Sequence, residues 1–178
     1  MLIEGLARLL NIKDFDHISV QDIADEAALN RATFYLHYPD KNALLQAMTE
    51  TRFRELVERR SLTFSDCEGG LRAIALGVCD YLAETTGCPS QLKKMPVEGS
   101  IIPVVEAIFM EGAKNHPDVP GFDKAMVATT TAWAIFGAAR RWIETSDRIP
   151  AEEMAAKIEG MVKPILLNVS KAASKVGL

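Results

Sequence analysis

The stretch Ser19 to Lys41, SVQDIADEAALNRATFYLHYPDK, says most about the architecture. Ser19 can cap a helix, with Asp22 at its third position completing a capping box. Ile18 and Ile23 can close the matching hydrophobic staple. Asn30 can cap the next helix, with Leu29 and Phe34 as its staple, and Asp40 the one after, near Leu44. Only Ala28-Leu29 separates the second helix from the Asn30 cap. Two helices joined this tightly must cross steeply, which is helix-turn-helix geometry.

Residue sizes agree with that geometry. Ala24 is small where crossed helices touch, and Ile23, Leu29 and Phe34 can fill a three-helix core. Arg31, Thr33, Tyr35, His37 and Tyr38 are donors, acceptors or flat aromatic groups. A helix this short, with such groups on its outer face, suits the base edges of a DNA major groove. Their spacing beside Phe34 makes at least one of Tyr35 and Tyr38 partly buried.

These residues together resemble the TetR family of bacterial transcriptional regulators. The resemblance runs through Phe15, Ser19-Val20, Ile23-Ala24, Ala27, Leu29, Asn30, Thr33, Phe34-Tyr35, His37-Tyr38, Lys41 and Leu44-Leu45, about the first fifty residues. It implies DNA contacts from Thr33, Tyr35, His37 and Tyr38, and a phosphate contact from Lys41 at the start of the fourth helix. Ser19, Asn30 and Arg31 are further candidates. Two departures stand out. Ala28 occupies a turn position where the family usually has glycine, at a cost of about 1 kcal/mol if φ is positive. Where the family has a basic segment before and within the first helix, this sequence offers Arg8 and Lys13; either the start was assigned late or phosphate affinity is reduced. Residues 1–60 carry eight Lys/Arg and ten Asp/Glu, a net of −2, so few phosphate contacts are expected.

The rest of the chain reads as helices between breakers. Helical spacing predicts helices at about 1–13, 19–27, 30–36 and from Asp40 to Arg60. A polar stretch with Gly69-Gly70 comes next. Four more helices follow, the first ending near Thr86 and the others at about 100–115, 122–146 and 151–173. The expected fold is all-α. A three-helix helix-turn-helix domain (1–47) is joined by a long helix to a helical bundle (48–178) for effector binding and dimerisation.

The 178 residues carry 20 Lys+Arg against 24 Asp+Glu, a net of −4, with 48% hydrophobic residues. That is globular composition, and it argues against a strongly basic polyanion binder. The uncharged run Ala125 to Ala139 falls short of the roughly 20 residues a spanning helix needs, so no membrane partner is expected. The opening Met-Leu-Ile-Glu-Gly suggests no signal peptide. Cys67, Cys79 and Cys88 form no CxxC, which fits a reducing cytoplasm. His17, His37 and His116 offer no metal-ligand spacing. No nucleophile triad or phosphate-binding loop is evident, so neither an enzyme nor a cofactor is expected.

Helix 122–146 has apolar residues on several faces, from Phe122 to Ile143, and is expected to be buried on more than one side. The resemblance implies that the last two helices form a four-helix homodimer interface. A two-fold dimer would read a near-palindromic double-stranded DNA operator. A bundle pocket for a small apolar effector would draw on Tyr81, Phe109, Met110, Met126, Thr130, Trp133, Phe136 and Arg140. The expected function is a repressor released by that effector. The alternative is a regulator of the same fold controlled by a protein partner.

Overall fold

The computed structural model describes residues 1–59, 69–87, 95–114 and 123–176. Among them are eight α-helices and no strand. Helices α1 (Leu2–Leu10), α2 (Val20–Glu26) and α3 (Arg31–His37) pack at one end, and α4 (Lys41–Arg59) leads away from them. Helices α5 (Gly69–Gly87), α6 (Val97–Ala113), α7 (Lys124–Ile143) and α8 (Ala151–Val176) form the bundle. One apolar core runs from Leu2 of α1 to Val162 of α8.

Several boundaries differ from the expected ones. α1 stops at Leu10 because the amides of Asn11 and Ile12 turn back to carbonyls three residues earlier, Arg8 and Leu9. That tightens its last turn. A 3-10 turn at Phe15–His17, which helical spacing alone did not predict, buries Phe15. Gly69 and Gly70 open α5 instead of lying in a linker. α6 begins at Val97, α7 ends at Ile143, and α8 reaches Val176. Asp123 caps α7 through the Ala125 amide at 3.1 Å. The expected start of that helix at Phe122 lies outside the described residues, as do Cys67, Cys88 and His116.

The bundle centres on α5, which packs against α4, α6, α7 and α8. An added Cβ on Gly77 of α5 would lie 2.8 Å from the Phe53 ring, so the α4–α5 approach requires glycine there. Within one chain α7 packs against α5, α6 and α8, and its outer face is open. Ala128, Ala132, Ile135, Phe136 and Ala139 face the core, while Met126 and Trp133 face solvent.

Two devices hold the N-terminal end. The first closes α2. The Leu29 amide bonds to the Ala24 carbonyl at 2.8 Å and the Ala28 amide to Asp25 at 3.0 Å. This is a Schellman turn, and it places Ala28 at φ 54. The second is Lys41. Its ammonium donates to the carbonyls of Phe15 (2.9 Å), Asp16 (3.2 Å) and Ile18 (2.9 Å). It also lies 4.7 Å from the centre of the Phe15 ring. Its three protons meet three carbonyls, binding the first residue of α4 to the turn before α2.

Ala28→Gly is expected to raise the unfolding free energy by about 1 kcal/mol, measured by urea denaturation. Lys41→Met keeps the aliphatic stem but leaves three carbonyls without their donor. It is expected to cost on the order of 2 kcal/mol in the same assay.

Candidate nucleic-acid interface

The capping chemistry sets the aim of each helix in the N-terminal part. The Ser19 hydroxyl accepts from the Asp22 amide at 3.1 Å. The Asp22 carboxylate in turn accepts from the Ser19 amide and the Ser19 hydroxyl, both at 2.7 Å. The Ser19 bonds, with Lys13 beside them, hold the Asp22 carboxyl well below its ordinary range. Asn30 Oδ1 accepts from the Thr33 amide at 2.7 Å and the Thr33 hydroxyl at 3.0 Å. α3 thus starts from a fixed cap, and its single buried residue is Phe34.

Arg31, Tyr35 and His37 lie on the exposed surface of α3. The Arg31 guanidinium donates to the Tyr35 hydroxyl at 3.1 Å and sits 5.5 Å from that ring's centre. Tyr35 in turn meets Phe34 edge to face at 5.5 Å. The two side chains therefore stand as one supported unit above the core. Tyr38 is half-buried against Phe34, with ring centres 6.1 Å apart. Thr33 is also half-buried, and its hydroxyl already donates to Asn30. Ser19 and Asn30 are exposed but act first as caps.

Lys41 does not offer its ammonium to a phosphate. All three of its donors are engaged by the carbonyls of Phe15, Asp16 and Ile18. The helix end beside it is occupied too, because Asp40 Oδ1 accepts from the Asn42 and Ala43 amides at 2.8 Å each. Lys41 is a lock between α4 and the turn before α2, which sequence spacing could not distinguish from a surface lysine.

The other cations of this end are also held. Arg8 pairs with Glu26, and Lys13 with Asp22 at 2.9 Å. Residues 1–47, all described, contain Arg8, Lys13, Arg31 and Lys41 against seven acidic residues, 4 − 7 = −3. Of these cations Arg31 alone makes neither an ion pair nor a bond to a main-chain carbonyl. Sequence reasoning missed Leu36, whose side chain is 82% exposed. The available signal was its place two residues beyond buried Phe34, about 200° around the helix.

The expected effector residues are not gathered in one pocket. Tyr81 and Phe136 are buried, Phe109 is half-buried, and Met110, Met126, Thr130, Trp133 and Arg140 are exposed. Met126, Thr130 and Trp133 recur at i, i+4 and i+7, which makes them one outward stripe of α7. Arg140 pairs with Glu144 at 3.2 Å and Glu98 at 3.7 Å. An open depression of about 360 Å³ lies against α4 and α5, lined by Leu56, Arg59, Asp80, Ala83 and Glu84, none of them an expected pocket residue. Tyr81 is nonetheless placed to link elements. Its hydroxyl is 3.2 Å from the Thr49 hydroxyl of α4, and burial raises its pKa. Burial, followed by the charge of Asp80, pushes the Cys79 thiol up to about 12. Among the described residues no acidic, histidine and cysteine cluster could hold a metal ion. No described helix is long and apolar enough to cross a membrane.

Comparison with known proteins centres on the N-terminal end. Residues 2–48 match the family described as bacterial regulatory proteins, tetR family. The HTH-type transcriptional regulator EthR of Mycolicibacterium smegmatis is 44% identical over 43 residues, 24% of this chain and 20% of that protein. The uncharacterised HTH-type transcriptional regulator YxbF of Bacillus subtilis is 29% identical over 77 residues, 43% of this chain and 20% of that protein. Each match thus spans a fifth of the relative's own length. The crystal structure of the TetR family repressor AlkX from a Dietzia species, implicated in biodegradation of n-alkanes, aligns over 94% of this chain and 97% of its own. Its TM-score is 0.53 at 17% identity. At that identity the likeness is one of fold, and it extends the agreement from the N-terminal helices to the whole bundle. Residues 2–48 thus carry the helix-turn-helix segment of the tetR family, and the chain as a whole shares the all-helical fold of a TetR family repressor.

Proposed function

We propose that the chain is a DNA-binding transcriptional repressor that reads a near-palindromic operator as a homodimer and leaves it when a small, largely apolar effector binds. The observation that carries this reading is α3. It is fixed at one end by the Asn30 cap and beneath by Phe34, while Arg31, Tyr35 and His37 face solvent. Residues 1–47 are the DNA-reading unit, residues 48–178 the effector and dimer unit, and α4 belongs to both.

The dimer reading rests on α7 and α8. Met126 (66% exposed), Trp133 (47%) and Met161 (58%) leave apolar surface uncovered on both helices. Added Cβ atoms on Gly137 and Gly160 would meet nothing within 4 Å. A second copy related by a two-fold axis would cover that face and bring two α3 helices to one side of a duplex. The effector reading is supported by Thr131 of α7, whose hydroxyl is fully buried with no hydrogen-bond partner. Such a group costs about 1–3 kcal/mol, and a polar atom on an otherwise apolar ligand would relieve it. Coupling to DNA would pass through α4, which bonds to Tyr81 through Thr49 and to the N-terminal end through Lys41. A coupling of about 1–3 kcal/mol suffices to shift occupancy.

The test is selection by the full chain from random duplexes of about 30 bp, long enough for two half-sites, followed by fluorescence anisotropy. The enriched duplex is expected to be near-palindromic and to bind two protomers. Arg31→Ala with Tyr35→Ala is expected to weaken binding roughly ten-fold or more. The log–log salt slope is expected to stay below about 5 in magnitude, because so few cations are available. Failure to enrich any sequence over the starting pool would overturn the reading.

A further inference from the structure

We propose that Leu36 of α3, with Ala32 beside it, is a specificity element that selects thymine through its 5-methyl group. This rests on the DNA-reading function above and names what part of the base sequence is read.

Leu36 is 82% exposed, the highest value among the large hydrophobic side chains left exposed in the described residues. The core does not need it, since Phe34 already anchors α3 at 0% exposure. Ala32 lies one helical turn earlier on the same face and is exposed as well. Arg31 and Tyr35 flank this apolar strip as a bonded pair, and His37 follows it. The outer surface of α3 is therefore mixed. Polar groups stand beside a leucine, with a methyl-sized alanine behind it that lets the strip approach a flat surface closely.

The major-groove edge of DNA has the matching composition. It carries donors, acceptors and one apolar group, the thymine methyl. A leucine aimed into that groove cannot bond to adenine, guanine or cytosine edges, and it leaves their polar atoms without partners. Against thymine it also covers the 5-methyl group, an apolar gain that the other three bases do not offer. Charge strengthens the inference. Residues 1–47 have a net charge of −3, and Arg8, Lys13 and Lys41 are already engaged within the chain. Phosphate contacts carry no sequence information, so discrimination comes from contacts to the bases.

The duplex selected by the full chain is the probe. Each thymine is replaced in turn by deoxyuridine, which removes the methyl group and leaves pairing intact. Anisotropy is then read for the unaltered chain and for Leu36→Ala. The exposed position makes Leu36→Ala neutral for folding, checked by an unchanged melting curve. One thymine in each half-site is expected to lose about four-fold in affinity on conversion to uracil, the worth of one buried methyl group. Leu36→Ala is expected to bind thymine and uracil forms alike. The inference is overturned if no thymine shows the loss, if the loss persists in Leu36→Ala, or if the selected half-site contains no thymine. A selection that enriches nothing overturns the DNA reading itself, and is thereby distinct from those three results.

Discussion

The burial of one side chain, Phe34, holds α3 in place. Seven residues make two turns, too few for a helix to persist alone in water. Asn30 supplies the cap and Phe34, at 0% exposure, supplies the packing. The aromatic contacts of Tyr35 and Tyr38 both run to the Phe34 ring. With one residue committed inward, the others are released for an outer surface. The composition of that surface is therefore set by what it must meet, since packing makes no demand on it. An exposed leucine and a supported arginine–tyrosine pair are meaningful for that reason.

The position of α3 relative to the bundle depends on α4. Its first residue binds the turn before α2 through three carbonyls. Its middle buries Leu44, Leu45 and Phe53 and joins Thr49 to Tyr81. Its later turns meet Gly77 of α5 at the closest approach an absent side chain allows. Arg52 and Arg59 both reach Glu84 of α5, at 2.9 and 3.1 Å. These contacts make α4 a shared element. α4 thus touches both the N-terminal end and the bundle, through Lys41 at one end and Thr49, Phe53 and Arg52 further along.

Much of this was legible in the chain because local rules and the fold agree there. Ser19 with Asp22, and Asn30 with Thr33, are short-range pairs whose spacing names their bonds, and the structure contains both. The backbone at Ala28 was foreshadowed by the resemblance, which places glycine there, and its φ is 54. Lys41 was misread because its partners lie 23 to 26 residues away, beyond any local pattern. The division of the expected effector residues between core and surface was not legible for a different reason. Apolar side chains look alike whether they fill a core or face solvent, so Met126 and Trp133 could not be assigned a side from composition. Leu36 was passed over because leucine is ordinarily taken as core.

The charge arrangement links these observations to function. Most DNA-binding surfaces draw affinity from cations that meet phosphates and specificity from groups that meet bases. Here three of four N-terminal cations serve the fold: Arg8 and Lys13 tie α1 and its following turn to α2, and Lys41 ties α4 to the turn between them. Using cations internally ties these elements together and leaves fewer cations of these residues free to meet phosphates. Weak non-specific binding raises the ratio of specific to non-specific occupancy when base contacts are good. The engagement of lysine and arginine within the chain thus both ties α1, α2 and α4 together and leaves Arg31 as the cation of this end that makes neither an ion pair nor a main-chain bond.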